Sequence, residues 1–158
     1  MEDNVEEDPI LQILVARSVV ILAEYNESKE CDYSRLTTPI LEQLAAFATP
    51  PSIACSPKEL QPRVILQHQY RINVFPFEGL LFLAVSLRNG CRGADWIQSL
   101  LEEIAVKFVE KYGTGADMPL FIIPYTMNDF STMIAKIVVL TLWHYHIDWI
   151  AQTHRNKK

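Results

Sequence analysis

The histidines near the carboxyl end of the chain are the first candidates for metal chemistry. His144 and His146 flank Tyr145, and Asp148 follows. On a helix, residues two apart point in nearly opposite directions, so the two histidines cannot share one ion, whereas His144 and Asp148, four apart, can. A structural zinc site needs four ligands. We therefore expect neither a bound metal nor a metal cofactor.

Nucleophilic catalysis would need a thiol or hydroxyl beside a base. Cys55 lies in a proline-rich stretch and His68 is the kind of base that it would need, but nothing in their spacing brings them together. The adjacent carboxylates Glu102 and Glu103 fall on the solvent-facing side of a predicted helix. The sequence also lacks the phosphate-binding, zinc-protease and nucleophile-elbow motifs. We expect a binding protein without a cofactor, not an enzyme.

The composition indicates one globular domain in a reducing compartment. The chain has 158 residues, is 49% hydrophobic and carries a formal charge of −5, as expected for a single folded domain. Its three cysteines show no C-x-x-C spacing, and its first residues are acidic, unlike a secretory signal. Reduced thiols and a cytoplasmic location follow.

Clusters of like charge lie at the two ends of the chain. Five acidic residues fall within residues 1–9, which predicts a disordered acidic tail. The basic cluster falls within residues 152–158, for which a polar tail is predicted and contact with anionic lipid headgroups is the alternative. Because no basic stripe accompanies it, we expect no nucleic-acid partner.

Hydrophobic periodicity predicts an α+β fold over residues 10–151, with elements in the order β-β-α-β-β-β-α-α. Runs rich in β-branched residues indicate strands, and apolar residues three or four apart indicate helices. Thr38 before Pro39 is typical of a helix cap followed by proline. Pro76, inside a strand, predicts an edge position or a bulge. The predicted strands are 10–16, 19–25, 64–69, 71–77 and 80–87, and the predicted helices are 39–48, 95–112 and 129–151. Residues 34–37 are expected to add at most an irregular turn before the first of these helices.

The apolar stretch 133–151 is predicted to be an amphipathic helix and not a membrane span. Lys136, His144, His146 and Asp148 interrupt it, and burying them in hydrocarbon would cost several kcal/mol in sum. Aromatic residues at the end of this helix would seek a partner if they were exposed. This possible second interface consists of Trp143, Tyr145 and Trp149.

A free sheet edge beside a helix would form a groove for an apolar strand or an amphipathic helix of a partner. Strand 64–69 follows a long proline-rich loop and is expected to pair on one side only. Its apolar residues alternate onto one face, and the first helix is expected to form the facing wall. The candidate groove residues are Leu41, Leu44, Ala45, Ala48, Val64 and Leu66. The alternative is that these residues are ordinary core.

Three segments of the sequence resemble the longin domain found at the N-terminus of vesicle-associated R-SNAREs. They are V-A-R-S-V-V-I-L-A-E-Y at 15–25, F-V-E-K-Y-G at 108–113 and P-Y-T-M-N-D-F-S at 124–131, of which the last is the most specific. The resemblance covers residues 10–143. It implies a profilin-like sandwich, in which a five-stranded antiparallel sheet carries one helix on one face and two on the other.

The resemblance also implies a non-catalytic role in vesicle trafficking. The groove between the first helix and the third strand would bind a SNARE motif, from the same chain or a partner, or trafficking adaptors and regulators. The expected location is the cytosolic face of endomembranes or transport vesicles. No heptad segment, anchor or lipidation cysteine follows Ala151, so membrane association is expected only through a missing segment or a partner.

The sequence is compatible with two functions. One is a regulatory domain that controls SNARE assembly and sorting. The other is a longin-like scaffold subunit of a tethering or adaptor complex. One departure from the family concerns the first hairpin, where Arg17-Ser18 stands in place of the usual Arg-Gly and leaves the turn type undetermined.

Overall fold

The order of elements in the computed structural model agrees with the order expected from the sequence. The structure describes residues 10–48, 60–88 and 95–156, and it describes side chains within these ranges except at 47–48 and 145–156. The predicted acidic tail at 1–9 therefore lies outside the described residues. The elements are β1 (Ile10–Arg17), β2 (Val20–Asn26), α1 (Ser34–Ala48), β3 (Arg63–Gln67), β4 (Tyr70–Phe77), β5 (Leu80–Leu87), α2 (Asp95–Tyr112) and α3 (Ser131–Asn156).

The five strands form one antiparallel sheet in the order β2-β1-β5-β4-β3. The predicted α+β fold with a five-stranded antiparallel sheet is confirmed. At one edge, the backbone N–H of Tyr125 donates to the Ile21 carbonyl at 2.7 Å, and that of Met127 donates to the Leu22 carbonyl at 3.1 Å. This segment covers β2, whereas β3 at the other edge pairs only with β4 within the described ranges.

Strand β5 lies in the centre of the molecule because both of its faces are apolar and buried. Successive side chains of a strand point to opposite faces, and β5 accordingly contributes to two separate cores. Leu80, Phe82 and Ala84 pack with residues of α2 and α3. Leu81, Leu83 and Val85 pack with Ile40, Leu41 and Leu44 of α1.

The predicted start of the first helix is wrong, because α1 begins at Ser34 and not at Pro39. Asp32 Oδ1 accepts a hydrogen bond from the Ser34 N–H at 2.9 Å, and the Tyr33 carbonyl accepts one from the Leu36 N–H at 2.9 Å. Tyr33 and Leu36 also pack against the core beneath α1. These contacts begin the helix one turn before the proline, which therefore sits inside it on the exposed side.

Pro76 lies on the part of β4 that extends past β3. Arg63, the first residue of β3, pairs with Val74, so the paired residues of β3 end before Pro76 is reached. A proline there removes no ladder hydrogen bond between these two strands. β4 is an inner strand of the sheet. The edge position predicted for Pro76 is found only in the sense that β3 does not pair with β4 at this residue.

Helix α3 extends beyond the predicted end at residue 151. It begins at Ser131 and ends at Asn156, so residues 152–156 belong to the helix. Among the residues of α3 whose side chains are described, Ile134, Ile137 and Val138 are buried. None of the helices within the described ranges combines the length and the apolar character needed to cross a membrane.

Candidate functional site

A cavity of about 600 Å³ lies between α1 and the turns at one end of the sheet. Leu44 and Ala45 of α1 form one wall, and residues 60–62, which lead into β3, form another. Residues 76–81 of the β4–β5 hairpin line the opposite side, together with Arg17 and Ser18 of the β1–β2 turn. The lining is mostly apolar, so the cavity is suited to burying apolar side chains of a ligand.

The cavity exists because β4 and β5 extend further than β3 does. Pro76 pairs with Leu81, and Leu81 packs into the core beneath α1. Directly opposed residues of antiparallel strands share a face, so Pro76 also faces the α1 side. The paired part of β3 ends at Arg63. Within the part of the chain that the structure describes, the surface around Pro76 and Leu81 is therefore covered by α1 and residues 60–62, with space between them.

The β4–β5 turn forms one rim of the cavity and is held in place by a close backbone contact. Glu78 and Gly79 have φ values of 52° and 78°, the left-handed pair typical of tight hairpin turns. The Gly115 N–H donates to the Glu78 carbonyl at 2.8 Å. A Cβ atom on Gly115 would lie 2.6 Å from the Gly79 carbonyl oxygen. This approach requires glycine at position 115.

Arg17 connects the β1–β2 turn to the segment after α2. Its guanidinium donates to the Leu120 carbonyl at 2.9 Å and to the Gly115 carbonyl at 3.4 Å. The next residue, Ser18, adopts φ 56°, a left-handed conformation that glycine takes more easily. The guanidinium is therefore engaged by backbone carbonyls at the side of the cavity. It holds the rim of the site in place.

The predicted groove residues of α1 have different positions. Ala45 is half-buried and lines the cavity, and Leu44 lines it while packing into the core. Leu41 is 2% exposed and belongs to the core beneath α1. The side chain of Ala48 lies outside the described residues. Two of the four α1 candidates thus line the cavity, while Leu41 is a core residue.

Val64 and Leu66 do not face α1, so the predicted facing arrangement is not found. Val64 pairs with Asn73, and Leu66 pairs with Arg71. Asn73 donates to Gln98 of α2 at 3.2 Å, which puts this face of β3 on the α2 side of the sheet. Both side chains are about half exposed, at 44% and 52%.

Ile65 is the β3 residue that packs beneath α1. A shift of one residue along a strand moves a side chain to the other face, and this accounts for the error. The alternation of side chains along β3 was predicted correctly. The sequence does not show which of the two alternating sets faces α1 and which faces the α2 side.

Several cavity residues were missed from the sequence, chiefly Leu60, Pro62, Pro76 and Leu81. The sequence does indicate interrupted strand pairing at Pro62 and Pro76, because prolines are found where strand pairing stops. Their closeness to Leu44 could not be inferred, since it depends on how α1 crosses the sheet.

The candidates for the second interface lie on the later part of α3. Trp143 is 58% exposed, and Val139 and Leu140 nearby are 63% and 52% exposed. The side chains of Tyr145 and Trp149 lie outside the described residues.

The structure describes only some of the candidate residues for metal binding and catalysis. His144 is exposed, whereas Cys55 and the side chain of Asp148 lie outside the described residues. Among the residues that the structure describes, no cluster of three or more histidine, cysteine or acidic side chains could hold a metal ion.

No family model matches the chain, and no curated protein matches it in sequence.

Proposed function

We propose that this protein is a non-catalytic, longin-type regulatory domain that binds an apolar peptide segment in the cavity beside α1. The observation that carries the proposal is the cavity itself, with about 600 Å³ of space between α1 and the end of the sheet. Leu44, Leu60 and Leu81 provide apolar surface on three of its sides. A cavity of this volume accommodates several apolar side chains of an amphipathic helix or an extended peptide.

The arrangement of the two cores supports the profilin-like longin sandwich. Residues of α1 pack on one side of β5, and residues of α2 and α3 pack on the other. The biological role is proposed from the resemblance of residues 124–131 to the longin domain of R-SNAREs. A SNARE motif, from the same chain or a partner, or a trafficking adaptor would occupy the cavity and so control SNARE assembly and sorting. The protein would act at the cytosolic face of endomembranes or transport vesicles.

The proposal can be tested by filling the cavity. Ala45→Phe adds a ring to the wall of the cavity, whereas Ala46→Phe adds the same ring at the neighbouring exposed position of α1. Binding would be measured by fluorescence anisotropy with labelled R-SNARE-motif peptides. We expect Ala45→Phe to weaken binding by at least about tenfold and Ala46→Phe to leave it unchanged. Equal binding by the two folded variants, or no binding by the unmodified chain, would overturn the proposal.

A second pair of substitutions distinguishes the cavity from the opposite face of β3. Val64→Asp with Leu66→Asp places charges on the half-exposed edge strand, on the α2 side. We expect this folded double variant to retain peptide binding. Loss of binding here, with full binding by Ala45→Phe, would assign the peptide to strand addition at β3 and not to the cavity.

A scaffold role in a tethering or adaptor complex is the second candidate function. It is favoured by the exposed apolar side chains of Val139, Leu140 and Trp143 on α3, since contiguous exposed apolar surface commonly marks an interface. Light scattering during size-exclusion chromatography at high concentration tests for self-assembly. An oligomer that dissociates on Leu140→Asp would favour the scaffold role, and a monomer would count against self-assembly.

A further inference from the structure

The segment between α2 and α3 exposes three large apolar side chains next to one another. Leu120, Phe121 and Ile123 are 84%, 89% and 75% exposed, while Ile122 between them packs against the core. Single exposed apolar residues are common on protein surfaces, but a contiguous set that projects this far commonly marks a binding surface. We call residues 120–123 the apolar tip.

The apolar tip is held in position by hydrogen bonds on both sides. Before it, Arg17 donates to the Leu120 carbonyl at 2.9 Å. After it, the Tyr125 N–H donates to the Ile21 carbonyl at 2.7 Å, and the Thr126 N–H donates to the Ile123 carbonyl at 3.2 Å. The backbone is thus already ordered, so a binding partner would not have to supply the free energy of ordering the loop.

The area of the apolar tip argues against a stable protein dimer. Three side chains of this size expose roughly 400 Å² together, whereas a stable protein interface buries about 800 Å² on each partner. A lipid bilayer has no such requirement, because each apolar side chain that enters it gains separately from leaving water. The high exposure of all three side chains also suits their insertion between lipid headgroups.

Charge near the apolar tip indicates which kind of bilayer it would enter. Asp117 precedes the tip, and Glu24 is hydrogen-bonded to Tyr125 just after it. The Arg17 guanidinium is turned back onto backbone carbonyls. Carboxylates at this position would be repelled by anionic headgroups, so the surroundings favour a bilayer whose headgroups carry no net charge.

We propose that the apolar tip inserts into the headgroup region of zwitterionic membranes and docks the domain on them reversibly. Leu120, Phe121 and Ile123 enter the boundary between headgroups and acyl chains, and Ile122 stays in the protein core. Insertion of a few side chains gives weak, reversible binding, comparable to a single lipid chain. This surface is separate from the peptide cavity, so its failure in the test below would leave the proposed function intact.

The test is flotation of the full chain with phosphatidylcholine vesicles. The double variant Phe121→Ser with Ile123→Ser removes most of the apolar tip. The matched control, Leu87→Ser with Val106→Ser, removes two apolar side chains that are 39% and 47% exposed elsewhere. We expect the double variant to lose at least about tenfold in vesicle partition and the control to retain it. Replacing part of the phosphatidylcholine with phosphatidylserine is expected not to increase binding.

Three results would overturn the proposal. One is an unmodified chain that does not float with phosphatidylcholine vesicles, including the case in which it instead self-associates through Phe121. Another is a folded double variant that partitions as the unmodified chain does. The third is binding that requires phosphatidylserine and is lost in salt, which would assign the contact to the basic residues near the carboxyl end.

Discussion

The Tyr125 hydroxyl donates a hydrogen bond to Glu24 Oε1 at 3.0 Å, joining residues that are 101 positions apart in the chain. Asn128 Oδ1 accepts a further hydrogen bond from the Glu24 N–H at 2.9 Å. Burial raises the pKa of Tyr125, and the hydrogen bond to Glu24 raises it further. Both contacts come from the segment 124–131, so this segment acts as a clasp along β2.

Removing the Tyr125 hydroxyl is expected to destabilise the protein. Tyr125→Phe keeps the ring but loses the bond to Glu24, which we expect to lower the free energy of unfolding by about 1 kcal/mol. Urea denaturation measures the change. Tyr112→Phe is the matched control, because Tyr112 packs through its ring against Phe108 and Phe130. Equal stability of the two variants would mean that the hydroxyl does not hold the clasp.

Adding a methyl group at Gly115 is expected to disturb the rim of the cavity. The Cβ atom of Gly115→Ala would meet the Gly79 carbonyl oxygen at 2.6 Å, so the two backbones must separate. We expect a loss of about 1–3 kcal/mol in the free energy of unfolding. Ala116→Ser changes the neighbouring exposed residue and should have no effect. Thermal unfolding of both variants gives the comparison, and an undisturbed Gly115→Ala would show that the contact is not maintained.

Replacing Pro39 is expected to stabilise the protein. Pro39 lies inside α1 on its exposed side, where it cannot donate to the Arg35 carbonyl. Pro39→Ala restores the donor and should raise the free energy of unfolding by about 1–2 kcal/mol. Thr38→Ala, the exposed neighbour, changes helix propensity alone and should gain about half a kcal/mol or less. If Pro39→Ala instead destabilises the protein, the proline stabilises the fold by restricting the conformations of the unfolded chain, and this effect exceeds the free energy that it costs the helix.

The stability of the protein is expected to fall between pH 10 and 12 because of Tyr33. Burial and the hydrogen bond with Cys31 raise the pKa of Tyr33 from 10.0 to about 12. In this window the unfolded chain binds fewer protons than the folded chain, so the free energy of unfolding falls as pH rises. The contribution is fully present below pH 10.

Tyr33→Phe should make this decline shallower and remove the last phase of tyrosine ionisation in an absorbance titration. Tyr25→Phe is a suitable control, because burial also raises the pKa of Tyr25. An unchanged last phase in Tyr33→Phe would assign it to another tyrosine.

Most of the fold was accessible from sequence because its signals are local. The strand predicted at 80–87 is confirmed, because β5 is Leu80–Leu87, with a core on each side. Helix α2 is also bounded as expected, and the Gly113 N–H that ends it donates to the Val109 carbonyl. The start of α1 failed because a local proline signal was outweighed by Tyr33 and Leu36 packing on the sheet.

The sequence by itself determined the element order, the alternation within each strand and the apolar stripes of the helices, because these depend on neighbours along the chain. Only the tertiary structure decided that Ile65, and not Val64 or Leu66, faces α1. It also decided that Pro76 and Leu81 share a cavity with Leu44. Both depend on strand register and on how a helix crosses the sheet. Those properties are set by the packing of residues far apart in the chain, which no local pattern records.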